Sequence, residues 1–120
     1  MKKLTLILMT LAAIFIFAGC SKSPKDAALA WGKATINGNL EEANKYSTSG
    51  SKEVNQYLIL RSNSLSAEKK KERVDNLVKE IKNAKCEIDG DTAAILIESE
   101  NMLIPIRKVD GEWKVDVSDF

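Results

Sequence analysis

Apolar positions along the 120-residue chain follow three successive rules. Between Leu4 and Ala18 every residue is apolar except Thr5 and Thr10. From Pro24 to Lys82 apolar residues recur three and four apart, the period of helices that bury one side. From Cys86 to Val117 they alternate with polar residues, the period of strands with one covered face.

In the helical region, Ser23 is a natural N-cap, Pro24 a natural first residue and Asp26 a favourable first-turn charge. Ala27, Ala28, Trp31, Ala34 and Thr35 share one face; the alanines permit close approach to a sheet, and Trp31 supplies most of the buried area. Asn37-Gly38 stops this helix. Asn39, with Glu41 and Glu42, starts a short second one whose apolar positions are Leu40, Ala43 and Tyr46. Ser47 to Ser51 reads as a polar loop. A third helix is expected through Val54, Tyr57, Leu58 and Arg61, and another loop from Ser62 to Ser66. Ser66 then caps the longest helix, about Ala67 to Lys82, with Val74, Leu77, Val78 and Ile81 at helical spacing.

Beyond Asn83, Cys86 and Ile88 alternate with charges up to a turn at Asp89-Gly90-Asp91. Ala93, Ile95 and Ile97 follow, then a polar break at Ser99 to Asn101, then Met102, Ile104 and Ile106. Asp110-Gly111 is a strong hairpin signal before Trp113, Val115 and Val117. Helices first and strands last predict an α+β domain, with N-terminal helices packed on one face of a four-stranded antiparallel sheet.

The first apolar run has a different use. Lys2 and Lys3 precede it, and it ends at the small residues Ala18 and Gly19 before Cys20, the layout of a secretory signal. It is shorter than the roughly 20 residues a spanning helix needs. An uncleaved anchor or an ordinary signal peptide is the plainer reading, and the cysteine argues against both. Phe17-Ala18-Gly19-Cys20 resembles the lipobox of bacterial lipoproteins, with Phe17 where Leu is more usual. That resemblance implies cleavage between Gly19 and Cys20, a diacylglyceryl group on the Cys20 thiol and acylation of the new amine. Each buried methylene contributes ~0.8 kcal/mol, and two or more chains anchor firmly. The expected organisation is a signal peptide over 1–19, a lipidated tether over 20–23 and a domain over 24–120. The expected location is the bacterial cell envelope. Ser21 fits outer-membrane sorting if the organism has two membranes; otherwise the anchor sits in the outer leaflet of the cell membrane.

Composition narrows the chemistry. The chain has 18 basic and 17 acidic residues; loss of Lys2 and Lys3 leaves it near-neutral, which gives no reason to expect nucleic acid as a partner. With Cys20 lipidated, Cys86 has no intramolecular disulfide partner and reads as a small core residue before a reactive thiol. There is no histidine, which removes Ser-His and Cys-His nucleophiles and the commonest metal ligand. No CxxC spacing, phosphate loop or zinc motif is present, so no metal or cofactor is expected beyond the covalent lipid.

Ser23-Pro24 opening a helix, then Asn37-Gly38-Asn39-Leu40-Glu41-Glu42-Ala43 with Tyr46, and the closing Ile106-Arg107-Lys108-Val109-Asp110-Gly111-Glu112-Trp113-Lys114-Val115-Asp116, together resemble the small bacterial lipoproteins carrying a domain of unknown function, DUF4878. The resemblance spans the mature chain and is most specific in the final hairpin. It implies an NTF2-like, also called cystatin-like, cone of helices over a sheet. That superfamily contains isomerases as well as non-catalytic pockets, and no catalytic motif of it matches here.

Strand alternation tests for such chemistry. The face bearing Cys86, Ile88, Ile95, Ile97, Met102, Ile104, Ile106, Trp113, Val115 and Val117 carries no carboxylate, and Lys108 in the same register sits at a strand end. An acid–base site would need a carboxylate there. The inner face is therefore expected to be core or an apolar pocket, with Trp31, Tyr46 and Tyr57 as candidate lining residues. On the other face Leu96, Leu103 and Pro105, with Ala94 and Val109, lie among Lys85, Glu87, Glu98, Arg107 and Lys114. This is a candidate face for homodimerisation or a protein partner, with a mixed solvent face as the alternative. Pro105 argues for an edge or bulged strand. Lys69 to Arg73, interleaved with Glu72, reads as a solvated helix face, or as a contact for anionic lipid headgroups. The expected function is a membrane-anchored lipoprotein with a non-catalytic domain that binds a small apolar ligand or a protein. The alternatives are an accessory lipoprotein without ligand and an isomerase-type enzyme.

Overall fold

The computed structural model describes residues 23–120; the signal region, Gly19 and Cys20 lie outside them. Helix α1 spans Pro24–Asn37, α2 Leu40–Lys45, α3 Lys52–Ser62 and α4 Ala67–Asn83. Strands β1 (Lys85–Asp89), β2 (Thr92–Ile97), β3 (Met102–Val109) and β4 (Glu112–Val115) complete the chain.

The helix boundaries follow their caps. Ser23 accepts from the Asp26 N–H, Asn39 from Glu42 and Ser66 from Lys69, each satisfying a donor that the first turn leaves unpaired. Gly38 ends α1 at φ 79°, a left-handed conformation that a side chain would strain. α1 and α4 run antiparallel: the Lys25 ammonium reaches the Lys82 carbonyl at 3.3 Å, and a Cβ on Gly32 would meet Leu77.

The strands form an antiparallel meander in the order β1-β2-β3-β4. Ile95 sits opposite Cys86 on one side and Ile104 on the other, and Val115 opposite Ile106. With Ala27 and Ala28 of α1 and Ile81 of α4, these residues and Ile97, Trp113 and Val117 make the main core. Ala34, Ala43 and Ile59 form a smaller one under Trp31 and Leu40. The helices cover one face of the four-stranded sheet, as expected for the α+β class.

Three expectations change. First, α3 buries Asn55, Ile59 and Ser62 and leaves Tyr57 58% exposed. Of the residues expected along it, Val54 packs against the main core, but Tyr57 and Arg61 turn outward, because Asn55, although polar, takes the central position. Second, Ile88 and Met102 share the inner face yet are 57% and 48% exposed. Ile88 lies on the open edge and Met102 at the first position of β3. Third, Pro105 is on an inner strand, between β2 and β4. Its carbonyl accepts from the Asp116 N–H at 2.8 Å, so its backbone polar positions point toward the β4 side. β4 ends at Val115, so the missing N–H falls on the last pair, with Asp116 just past the strand, where the Asp116 N–H bond to Pro105 is still made and proline costs little.

Candidate functional site

The sheet's outer face is built in rows. Lys85, Leu96 and Leu103 lie side by side, then Glu87, Ala94 and Pro105, then Asp89, Thr92, Arg107 and Lys114. Leu103 is 48% exposed, and Leu96, Pro105 and Ala94 are half-buried. The rim carries ion pairs, Lys85 with Glu98 at 3.6 Å, both exposed, and Arg107 with the more covered Asp116 at 3.4 Å. The exposed Lys85–Glu98 pair contributes little stability, but both pairs limit which surfaces can approach. The structure thus brings together the three residues expected on this face.

The three aromatics expected around a cone pocket are not brought together. The space between helices and sheet is filled by Ile81, Ile95, Ile97, Ile104, Ile106, Trp113 and Val115. Trp31 packs at the junction of the two cores and donates its indole N–H to Asn55 at 2.7 Å. Tyr46 borders a surface groove of about 390 Å³ with Leu29, Lys33 and Glu42. Tyr57 borders a different groove of about 380 Å³ with Val54, Leu58 and the C-terminal Phe120. Sequence periodicity placed all three on helices but could not fix their azimuth round the core.

What sequence reading missed is a buried polar lock. Asn55, fully buried, accepts from Trp31 and donates to Asn44 at 2.9 Å and Ser47 at 2.8 Å. Because indole N–H is donor-only, the orientation of the Asn55 amide is fixed. The Ser47 hydroxyl donates to the Ala43 carbonyl at 2.7 Å. The backbone beside it closes the β4 edge: the Thr48 N–H donates to Val115 at 2.8 Å, and the Val115 N–H to Tyr46 at 2.9 Å. Thr48 also donates its hydroxyl to Asp116 at 3.0 Å, which leaves Ser51 as donor in the 2.8 Å Thr48–Ser51 hydrogen bond. Ser51 in turn accepts the Val117 N–H. The apparent connector 47–51 thus fastens three helices to the last strand. The available signal was the spacing of Ser51, Asn55, Ile59 and Ser62, a helical stripe with three polar residues and one apolar.

Two carboxyl groups have shifted acidity. Asp116 is held below the usual carboxylate range, first by the Ser118 hydroxyl, then by Thr48, the Ser118 N–H and the charge of Arg107, against an opposing effect of burial. Glu80 is pushed up by burial, then by its hydrogen bond with and repulsion from Glu100. A depressed carboxylate contributes stability above its unfolded pKa and loses that contribution as pH falls through the folded one. Asp116→Asn is therefore expected to lower stability by about 1 kcal/mol at neutral pH. The difference from the wild type shrinks below about pH 4, as measured by urea melts across pH.

Among the described residues no cluster of three or more acidic, cysteine or histidine side chains could hold a metal ion. Among them too, no helix is long and apolar enough to cross a membrane. Asp116 lies on the outer face of the sheet, beside Pro105, and Glu80 on α4. No family model, curated protein or solved structure matches the chain.

Proposed function

We propose that the protein is a bacterial envelope lipoprotein, anchored by lipid on Cys20, whose non-catalytic domain presents its sheet to another protein. The observation that carries the anchor is the junction of Phe17-Ala18-Gly19-Cys20 with a capped helix starting at Pro24. A lipid on Cys20 would be followed by a three-residue tether and then by folded protein. In a diderm cell the location is the outer membrane, and in a monoderm cell the outer leaflet of the cell membrane. The helices-then-sheet order supports an NTF2-like domain of the DUF4878 kind.

The filled cone favours a protein partner over a small apolar ligand, and it also disfavours an isomerase-type enzyme. The exposed Leu103 and half-buried Leu96 and Pro105 supply the surface. Expressed with its own signal in a bacterial host, the chain should yield an N-terminal peptide beginning at Cys20 with a diacyl or triacyl mass increment. Cys20→Ser should remove the increment and the cleavage. An unmodified or uncleaved wild-type N-terminus would remove the anchor from this reading.

A further inference from the structure

The two edges of the sheet are treated differently. β4 is closed by the Tyr46–Thr48 backbone, whereas among the described residues β1 pairs with β2 alone. The backbone polarity of β1 follows from the ladder. The Lys108 N–H donates to the Asp91 carbonyl at 2.7 Å, so Asp91, Ala93, Ile95 and Ile97 turn their polar groups toward β3. Thr92, Ala94 and Leu96 turn theirs toward β1. By the pairing register, Lys85, Glu87 and Asp89 then face β2, while Cys86 and Ile88 direct N–H and C=O to the open edge.

We infer that this edge pairs with β1 of a second copy, antiparallel about a two-fold axis at Cys86, to give a continuous eight-stranded sheet. Charges on an edge strand usually keep copies apart; here their order leaves one register with unlike pairs and no like pair. Centred on Cys86, Lys85 lies opposite Glu87 of the second copy, twice by symmetry, and Ala84 lies opposite Ile88. Centred on Glu87, two Lys85–Asp89 pairs are opposed by two glutamates facing each other; centred on Lys85, two lysines face each other; centred on Ile88, Glu87 meets Asp89 twice, so within β1 only the Cys86 register has unlike pairs and no like pair. Like charges directly opposite are destabilising and unlike ones favourable. The Cys86 register also covers Ile88, 57% exposed on the sheet's inner face. It leaves both outer faces free and joins them into one surface, and it does not depend on the lipid anchor.

The test uses Cys86, half-buried in each copy, as reporter. In a hydrogen-bonded antiparallel pair the two Cα atoms stand about 5.5 Å apart, inside the roughly 4.4–6.8 Å span a disulfide bridges. Membranes carrying the full chain are treated with copper phenanthroline in air, oxygen accepting the two protons and two electrons that the thiols release. A species of twice the mass is expected, lost in Cys86→Ser. A dimer that persists in Cys86→Ser arises from an unlipidated Cys20 and counts against the anchor, not against the edge.

Lys85→Glu alone and Glu87→Lys alone should each reduce the cross-link at least fivefold, since each creates like-charge pairs. Two differently tagged copies, one carrying each substitution, should restore it in the mixed species. Lys85 and its partner Glu98 are both exposed, so either variant should keep its thermal melt. Absence of the Cys86 cross-link in the wild type, or a cross-link indifferent to these charges, would overturn the proposal.

Discussion

Replacing Asn55 by leucine is expected to cost about 3 kcal/mol, an unusually large loss for a change that adds apolar surface to a buried site. The reason is the asymmetry of buried hydrogen bonds: each one made contributes modestly, but each partner left unpaired costs about 1–3 kcal/mol. Asn55→Leu orphans the Trp31 indole N–H and removes the donors to Ser47 and Asn44. Ser47 keeps its bond to Ala43, so the losses fall short of three full penalties. Urea melts of the wild type and variant measure the difference; a change below 0.5 kcal/mol would mean that water replaces the amide. Asn55→Asp adds a control on mechanism. An ionised carboxylate still accepts from Trp31 but faces the oxygens of Asn44 and Ser47, and burial raises its pKa. That variant should be weakest near pH 8 and recover as pH falls and the group takes up a proton. Asn55→Leu should show no such recovery.

The same site shows where the sequence was legible. Caps and turns act over three or four residues, so Ser23, Gly38, Asn39, Ser66 and Asp110-Gly111 fix their boundaries locally, and the structure has all of them. Strand alternation likewise separates the Ile95 face from the Leu96 face, because a strand has only two sides. Helix azimuth is harder. Tyr57 and Asn55 differ by two positions, and amphipathic counting favours the tyrosine inward. The structure instead buries Asn55, because Trp31, Asn44 and Ser47 from other elements satisfy its amide. Those partners are 8 to 24 residues away in sequence, and only tertiary contact reveals them. Pro105 failed as an edge marker for a related reason: the length of β4, and not β3 itself, decides whether a donor is missed.

The sharpest contrast expected across the sheet is between Ile95→Ala and Leu103→Asp. Ile95 is fully buried between Cys86 and Ile104, and truncation there removes most of a side chain at the centre of the core. Such losses run about 2–5 kcal/mol with the cavity included, and a value near 3.5 would lower Tm by roughly 15–25 °C in a domain of this size. Leu103 is on the opposite face, 48% exposed, so even an aspartate should cost about 1 kcal/mol or less. Thermal melts followed by circular dichroism distinguish the two. Because Leu103→Asp leaves the fold intact, it is also the variant that separates partner binding from folding. A photo-cross-linking residue placed at Leu96 should capture a partner in the envelope of cells carrying the wild-type face and lose it in Leu103→Asp. Were Leu103→Asp as damaging as Ile95→Ala, the outer face would already be buried in solution. A concentration-dependent Tm would then identify the cover as a second copy, packed face to face where we infer an edge-to-edge pair.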